Sequence, residues 1–228
     1  MEENQIINRL KKNKTILEIG SGDGIFVKKL LKYKKIKKYH GIDFVKELVN
    51  KSNKNYEKFS NISFSTKDIS LIDKKSFNIK FDYIISKRVI QNVLDQNLQI
   101  KIIDNLGFHL KKNGLIILVE CSNDARKNIN YIKKKYNLPK IPVSFHNIFL
   151  NDSKIKKYKF KKLKLLKIDN FSSNFYFITR VVYALYSKNF LKKKVNYKNY
   201  LQDIGLMIND DLLKIDLSQV KVYLFKKK

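Results

Sequence analysis

Three glycines at alternating positions, Gly20, Gly22 and Gly24, follow a short apolar run and precede apolar residues at helical spacing. Glycine lets a backbone turn tightly and approach a ligand without an intervening Cβ, so this turn suits a nucleotide-like ligand. A dinucleotide fingerprint would need glycine at position 25, but that residue is Ile25. Asp23, at the mouth of the following helix, would also repel a diphosphate. A glycine-rich turn that binds nothing is the alternative.

A second acidic residue stands at a distance typical of nucleotide-binding folds. Asp43 ends a short stretch that reads as a strand, 19 positions after Gly24. Such folds place a carboxylate about 20 residues past the glycine turn, where it accepts hydrogen bonds from the two hydroxyls of a ribose. Asp43 is therefore a candidate ribose ligand, and the alternative is a helix N-cap.

The run Glu18-Ile19-Gly20-Ser21-Gly22-Asp23-Gly24 resembles motif I of the class I S-adenosylmethionine-dependent methyltransferases. The resemblance implies S-adenosyl-L-methionine as the cofactor, with the glycine turn beside its amino-acid end. It also implies that Asp68 accepts a hydrogen bond from the adenine amino group, that Ile69 supplies a backbone N–H, and that Phe44 lies against the ring. A turn aspartate is the alternative for Asp68. The predicted cofactor-binding residues are Glu18, Gly20, Ser21, Gly22, Asp43, Phe44, Asp68, Ile69 and Ser86.

The segment after the fourth predicted strand, residues 86–93, bears on the acceptor. It contains no Asp/Asn-Pro-Pro-Tyr/Phe tetrad, with which resembling enzymes hold an amide or base nitrogen. It is similar to the SxxVLxHL run of small-molecule methyltransferases, with Asn92 where histidine is frequent. The resemblance thus implies methyl transfer to an oxygen or nitrogen of a small molecule, such as a sugar or a precursor of a surface polymer or secondary metabolite.

A hydroxyl acceptor would need a general base. His146 is the candidate, because it lies in the proline-containing loop after the fifth predicted strand and histidine titrates near neutral pH. A structural loop histidine is the alternative.

The elements that must position these residues alternate as strand and helix from residue 15 to about residue 120. This order predicts an α/β fold of the Rossmann-like, doubly wound type. Further strands over 161–168 and 218–225 predict a mostly parallel, seven-stranded sheet with an antiparallel edge strand. We expect one domain over 1–228, with a cofactor half (1–120) and an acceptor half (121–228). The aromatic-rich part of the latter, about 171–217, is expected to form a helical cap; a plain helix packed on the sheet is the alternative.

The charge of the chain suggests a rival function. It has 49 basic and 20 acidic residues, a formal charge of +29 that would suit RNA or an anionic membrane surface. Only four of the basic residues are arginines, and the lysines are spread over the whole length, as an AT-rich coding sequence would produce. An RNA methyltransferase is therefore an alternative that is not favoured. A non-catalytic binding protein with the same fold is the third hypothesis.

Other classes of protein lack support in the composition. The single cysteine, Cys121, excludes disulfides and multi-cysteine zinc sites, and the three histidines make no metal-binding spacing. No run approaches the ~18 apolar residues of a membrane span, and the first residues do not read as a secretory signal. The sequence predicts no metal and a cytoplasmic location, and specifies no oligomeric state.

Overall fold

The computed structural model describes residues 1–193, 195–196, 200–208 and 215–228. Seven strands form one sheet. They are β1 (Lys14–Ile19), β2 (Ile36–Asp43), β3 (Ile62–Thr66), β4 (Phe81–Lys87), β5 (Leu110–Cys121), β6 (Leu163–Asn170) and β7 (Val220–Lys227).

The strand order is β3-β2-β1-β4-β5-β7-β6. The first three strands lie side by side, and β4 pairs with the other edge of β1, with β5 next to it. These five strands are parallel. The crevice between the ends of β1 and β4 is thus the topological switch point, where open α/β sheets bind ligands. β7 is antiparallel to both of its neighbours, β5 and the edge strand β6. The predicted doubly wound fold with seven strands is confirmed.

Nine α-helices are described. They are α1 (Glu2–Ile7), α2 (Ile25–Lys32), α3 (Lys46–Asn55), α4 (Gln96–Leu106), α5 (Asn123–Lys135), α6 (Asp152–Lys157), α7 (Ser173–Phe177), α8 (Tyr183–Tyr186) and α9 (Leu201–Met207). Two π-helical stretches, Ile178–Val182 and Ser187–Leu191, follow α7 and α8, so that residues 173–191 form one continuous helical segment.

Strand residues alternate between two buried cores because successive side chains point to opposite faces of the sheet. Ile16, Ile85 and Ile117 belong to the first core, whereas the adjacent residues Leu17, Ile84 and Ile116 belong to the second. Segment 173–191 packs on the first core through Tyr176 and Val181. The cap over 171–217 stays a prediction; part of it, 194, 197–199 and 209–214, lies outside the described residues.

Two further observations concern the described residues only. None of their helices is both long and apolar enough to cross a membrane. No group of three or more histidine, cysteine, aspartate or glutamate side chains among them is arranged to hold a metal ion.

Candidate cofactor-binding site

The glycine turn after β1 packs directly on the segment that follows β4. Gly20, Gly22 and Gly24 all have left-handed backbone conformations, with φ of 71°, 54° and 76°. A Cβ on Gly20 would lie only 2.2 Å from the Cγ2 atom of Val89. Glycine is therefore required at position 20 both by the backbone conformation and by this contact.

Asp43 joins the glycine turn to the end of β2. Its Oδ2 accepts a hydrogen bond from the backbone N–H of Gly22 (2.8 Å), and its Oδ1 accepts one from that of Val45 (3.0 Å). The N-cap of α3 is Val45, so Asp43 does not have the N-cap role that its sequence context allowed. Because an ionised carboxylate can accept about four hydrogen bonds, Asp43 keeps capacity for a ligand.

A cavity of about 590 Å³ lies at the carboxyl ends of the central strands. It brings together five of the predicted cofactor-binding residues, which are Gly20, Asp43, Phe44, Asp68 and Ile69. The side chain of Phe44 is 73% exposed, so this aromatic ring is free to lie against a planar ligand. The cavity thus combines two carboxylates with apolar walls.

Asp68 lies in a turn and on the cavity wall at the same time. Its Oδ1 accepts a hydrogen bond from the N–H of Ser70 (2.8 Å), which caps the short 3₁₀ turn Ile69–Leu71. The turn aspartate anticipated as an alternative is therefore present, and its carboxyl group still lines the cavity together with Ile69.

Glu18 points away from this cavity. It lies on the face of β1 opposite to Ile19, which lines the cavity, and the hydroxyl of Tyr39 donates a hydrogen bond to its carboxylate. Burial raises the pKa of Glu18 to about 8. This side chain is not on the cavity wall.

The remaining predicted residues also lie just outside the cavity lining. Gly22 contributes through its hydrogen bond to Asp43. Ser21 is buried, and its hydroxyl has no hydrogen-bond partner within the described part of the chain. Ser86 is buried rather than on the rim, and its hydroxyl donates to Glu120 Oε1 (3.2 Å).

Glu120, at the end of β5, holds the segment after β4 in place. Its Oε1 accepts from the backbone N–H groups of Val89 (2.9 Å) and Ile90 (3.0 Å), and its Oε2 accepts from that of Gln91 (3.3 Å). The side chain is fully buried, and this burial raises its pKa to about 7, while the backbone hydrogen bonds oppose the shift. Since Val89 lines the cavity, Glu120 shapes the site without touching it.

Neither this role of Glu120 nor the place of Val89, Val93 and Leu98 on the cavity wall is predicted from the sequence. The position of Glu120 at the end of an otherwise apolar strand indicates such a role, because a buried acid without hydrogen-bond partners would destabilise the fold. Asn92, which replaces a frequent histidine, also lines the cavity.

His146 lies on an exposed loop, where its ring packs edge-on against Phe145. It is not among the residues that line the cavity. The next residue, Asn147, accepts a hydrogen bond from the side chain of Gln91 (3.4 Å), so the loop does approach the segment after β4. A role for His146 as a base stays a prediction.

The residues present fit S-adenosylmethionine. Two carboxylates, Asp43 and Asp68, suit ribose hydroxyls and an exocyclic amino group, and the apolar walls suit a purine. A Cβ on Gly22 would meet no atom within 4 Å, so space for a ligand remains beside the turn.

Comparisons with known proteins identify the family. A family model described as a methyltransferase domain matches residues 10–202. A search of curated proteins found no match. Among solved structures, a TehB-like S-adenosylmethionine-dependent methyltransferase from Corynebacterium glutamicum is 14% identical, with a TM-score of 0.58 over 100% of this chain and 87% of that one.

Two further structures have the same fold. The N-methyltransferase NodS from Bradyrhizobium japonicum, in complex with S-adenosyl-L-homocysteine, is 14% identical, with a TM-score of 0.55 over 99% of this chain and 86% of that one. A methyltransferase from Haloferax volcanii, in complex with the activator Trm112, is 11% identical, with a TM-score of 0.59 over 98% and 87%. The chain therefore belongs to the methyltransferase domain family and has the class I, S-adenosylmethionine-dependent methyltransferase fold.

Proposed function

We propose that this protein uses S-adenosyl-L-methionine to methylate an oxygen or nitrogen of a small molecule. The observation that carries the proposal is the cavity at the switch point, in which Asp43 and Asp68 meet apolar walls. The cofactor supplies an activated methyl group, so the protein has to bind the two reactants and hold them in line.

Different residues of the chain would bind the cofactor and keep its cavity in shape. Asp43 would hold the ribose hydroxyls, and Asp68 the adenine amino group, with Phe44 against the ring. Glu120 fixes the segment after β4 through three backbone N–H groups, which keeps one wall of the cavity in place. Apolar side chains such as Ile69 and Val93 exclude water from the ligand.

Calorimetric titration with S-adenosyl-L-homocysteine tests the cofactor site. Two hydrogen bonds to a carboxylate contribute about 1.5–3 kcal/mol each, so Asp43→Ala should weaken binding at least about 100-fold. Gly20→Val should abolish binding, because its Cβ would collide with Val89. Asp73→Ala is the matched control, since Asp73 also accepts two local hydrogen bonds but does not line this cavity. Equal affinity in the wild type, Asp43→Ala and Gly20→Val would contradict the proposed site.

Turnover on a panel of amino- and hydroxyl-bearing small molecules tests the acceptor class. Binding of the cofactor without turnover on any acceptor would favour a non-catalytic binding protein instead.

One observation favours RNA as a second candidate acceptor. A groove of about 780 Å³ next to α4 is lined by four lysines, two aspartates and two aromatic residues, which are Lys74, Lys101, Lys154, Lys161, Asp73, Asp104, Phe108 and Tyr158. Cationic grooves with aromatic rings bind single-stranded nucleic acids. A fluorescein-labelled oligoribonucleotide should then bind with a steep salt dependence, and weak binding at ~150 mM salt would exclude this candidate.

A further inference from the structure

Arg88 has an unusual backbone conformation at the switch point of the sheet. It directly follows β4, with φ of 59°, in the left-handed region that residues other than glycine, asparagine and aspartate seldom adopt. Such strain persists where the surrounding structure imposes it, and it concentrates at functional sites. The next residue, Val89, lines the cofactor cavity, so Arg88 lies one residue from the site described above.

The guanidinium of Arg88 grips a carboxylate with two of its nitrogens. Its Nε lies 3.1 Å and 3.0 Å from the two carboxylate oxygens of Glu2, and its Nη2 donates to Oε1 of the same residue. Its Nη1 lies 3.8 Å from Cys121 Sγ at the end of β5. A planar guanidinium that meets both oxygens of one carboxylate is the arrangement by which arginine recognises carboxylate ligands.

A second arginine, Arg180, lies over the ring of Tyr176. The Arg180 Cζ atom lies 5.8 Å from the centre of the Tyr176 ring. Tyr176 is buried, and its burial raises the pKa of its hydroxyl to about 12, although the charges of Arg88 and Arg180 both lower it. Of these two arginines, Arg180 is the one that lies over the Tyr176 ring.

The choice of arginine here is informative because the chain is so rich in lysine. Of its 49 basic residues only four are arginines, so a solvated positive charge is normally supplied by lysine. Lysine is a point charge, whereas arginine presents a rigid fork that matches a carboxylate. The residue before Arg88 is itself a lysine, Lys87, which pairs with Glu3 (2.7 Å).

Helix α1 is anchored without the contact between Glu2 and Arg88. Ile6 and Ile7 are buried in the first core, and Arg9 pairs with Asp169 in β6 (2.6 Å). The side chains of Glu2 and Arg88 are 25% and 42% exposed. The pair is therefore open to solvent on one side, and an incoming carboxylate that makes the same contacts with Arg88 can exchange with Glu2.

We propose that Arg88 forms a carboxylate-binding subsite next to the cofactor cavity, and that Glu2 occupies it as an intramolecular stand-in for the ligand. The inference rests on the proposed function, because the carboxylate belongs either to the small-molecule acceptor or to the amino-acid end of the cofactor.

Calorimetric titration with sodium malonate, at constant ionic strength set with chloride, tests the subsite. Glu2→Gln removes the competing carboxylate and should tighten malonate binding about fivefold. Arg88→Gln should weaken it at least about tenfold, and Arg88→Lys, which keeps the charge but loses the fork, should also weaken it. Arg9→Gln, which breaks the ion pair with Asp169 just after the same helix, is the control and should leave malonate affinity unchanged.

A second titration distinguishes the two sources of the carboxylate. S-Adenosylhomocysteine carries the amino-acid end of the cofactor, and 5′-methylthioadenosine lacks it. If Arg88→Gln weakens only the former, the carboxylate is that of the cofactor. If it weakens neither nucleoside but weakens malonate in the presence of saturating S-adenosylhomocysteine, the carboxylate is that of the acceptor.

The subsite is refuted if malonate binds the wild type, Glu2→Gln and Arg88→Gln equally and both nucleosides bind Arg88→Gln as they bind the wild type. Circular dichroism of each variant shows whether it is folded. Failure of S-adenosylhomocysteine to bind the wild type would count against the proposed function alone, because malonate binding to Glu2→Gln can be measured without any nucleoside.

Discussion

Replacing Glu120 by glutamine should change how the stability of the protein depends on pH. Burial raises the pKa of this carboxyl from its ordinary value of 4.5 to about 7 in the folded protein. The folded state therefore holds the proton more tightly than the unfolded state. The stability that this group contributes is fully present below about pH 4.5 and is lost as the pH rises through about 7.

The size of the effect follows from the two pKa values. Between pH 5 and pH 8 the wild type should lose about 2–3 kcal/mol through Glu120. Glutamine cannot ionise, and it keeps one oxygen to accept from the N–H groups of Val89 and Ile90. Its amide nitrogen replaces Oε2, which leaves the N–H of Gln91 without that acceptor, at a cost of about 1–3 kcal/mol that does not depend on pH.

Urea unfolding followed by circular dichroism at pH 5, 6, 7 and 8 measures the difference between the two proteins. Glu120→Gln should be the less stable protein at pH 5, and the gap should close or reverse by pH 8. Glu18, whose pKa is also raised by burial, is present in both proteins and cancels in the comparison. Parallel pH profiles for the two proteins would refute the reasoning, because they would mean that Glu120 does not titrate inside the fold in this range.

Three further predictions concern other buried or candidate groups. Lys221→Met should cost about 3–5 kcal/mol in urea unfolding, because it removes the cation 2.5 Å from the buried carboxylate of Asp152; a cost below about 1 kcal/mol would mean that this pair is dispensable. Tyr39→Phe should cost about 1–3 kcal/mol, since it takes the hydroxyl donor from Glu18, and an unchanged urea midpoint would argue against that hydrogen bond. His146→Gln should leave S-adenosylhomocysteine affinity unchanged, and a selective fall in kcat for a hydroxyl acceptor would assign this histidine as the base.

The parts of the site that depend on local spacing could be predicted from the sequence. The glycine turn, Asp43 and Asp68 each stand at the end of a strand, and parallel strands bring their carboxyl ends to one edge of the sheet. Which face a side chain occupies was harder to predict. Glu18 is adjacent to Ile19 in sequence but lies on the other face of β1, so its partner is Tyr39 and not the cavity.

Contacts between residues far apart in the sequence could not be predicted from local patterns. The hydrogen bonds from residues 89–91 to Glu120 span about 30 residues and depend on how the end of β5 faces the turn after β4. Likewise, the approach of Glu2 to Arg88 depends on where α1 packs, and no local pattern in the first residues reveals that position.

The position of β7 has a consequence for the order of assembly. This strand comes last in sequence among the seven, yet it lies between β5 and β6 and pairs with both. Until residues 220–227 are in place, β5 and β6 each present an open edge with unpaired backbone groups, which invites pairing with other chains. During synthesis, the half of the sheet that holds the cofactor cavity can form before β7 emerges, whereas the other half cannot close. Truncation before residue 220 should therefore produce aggregation rather than a smaller folded protein.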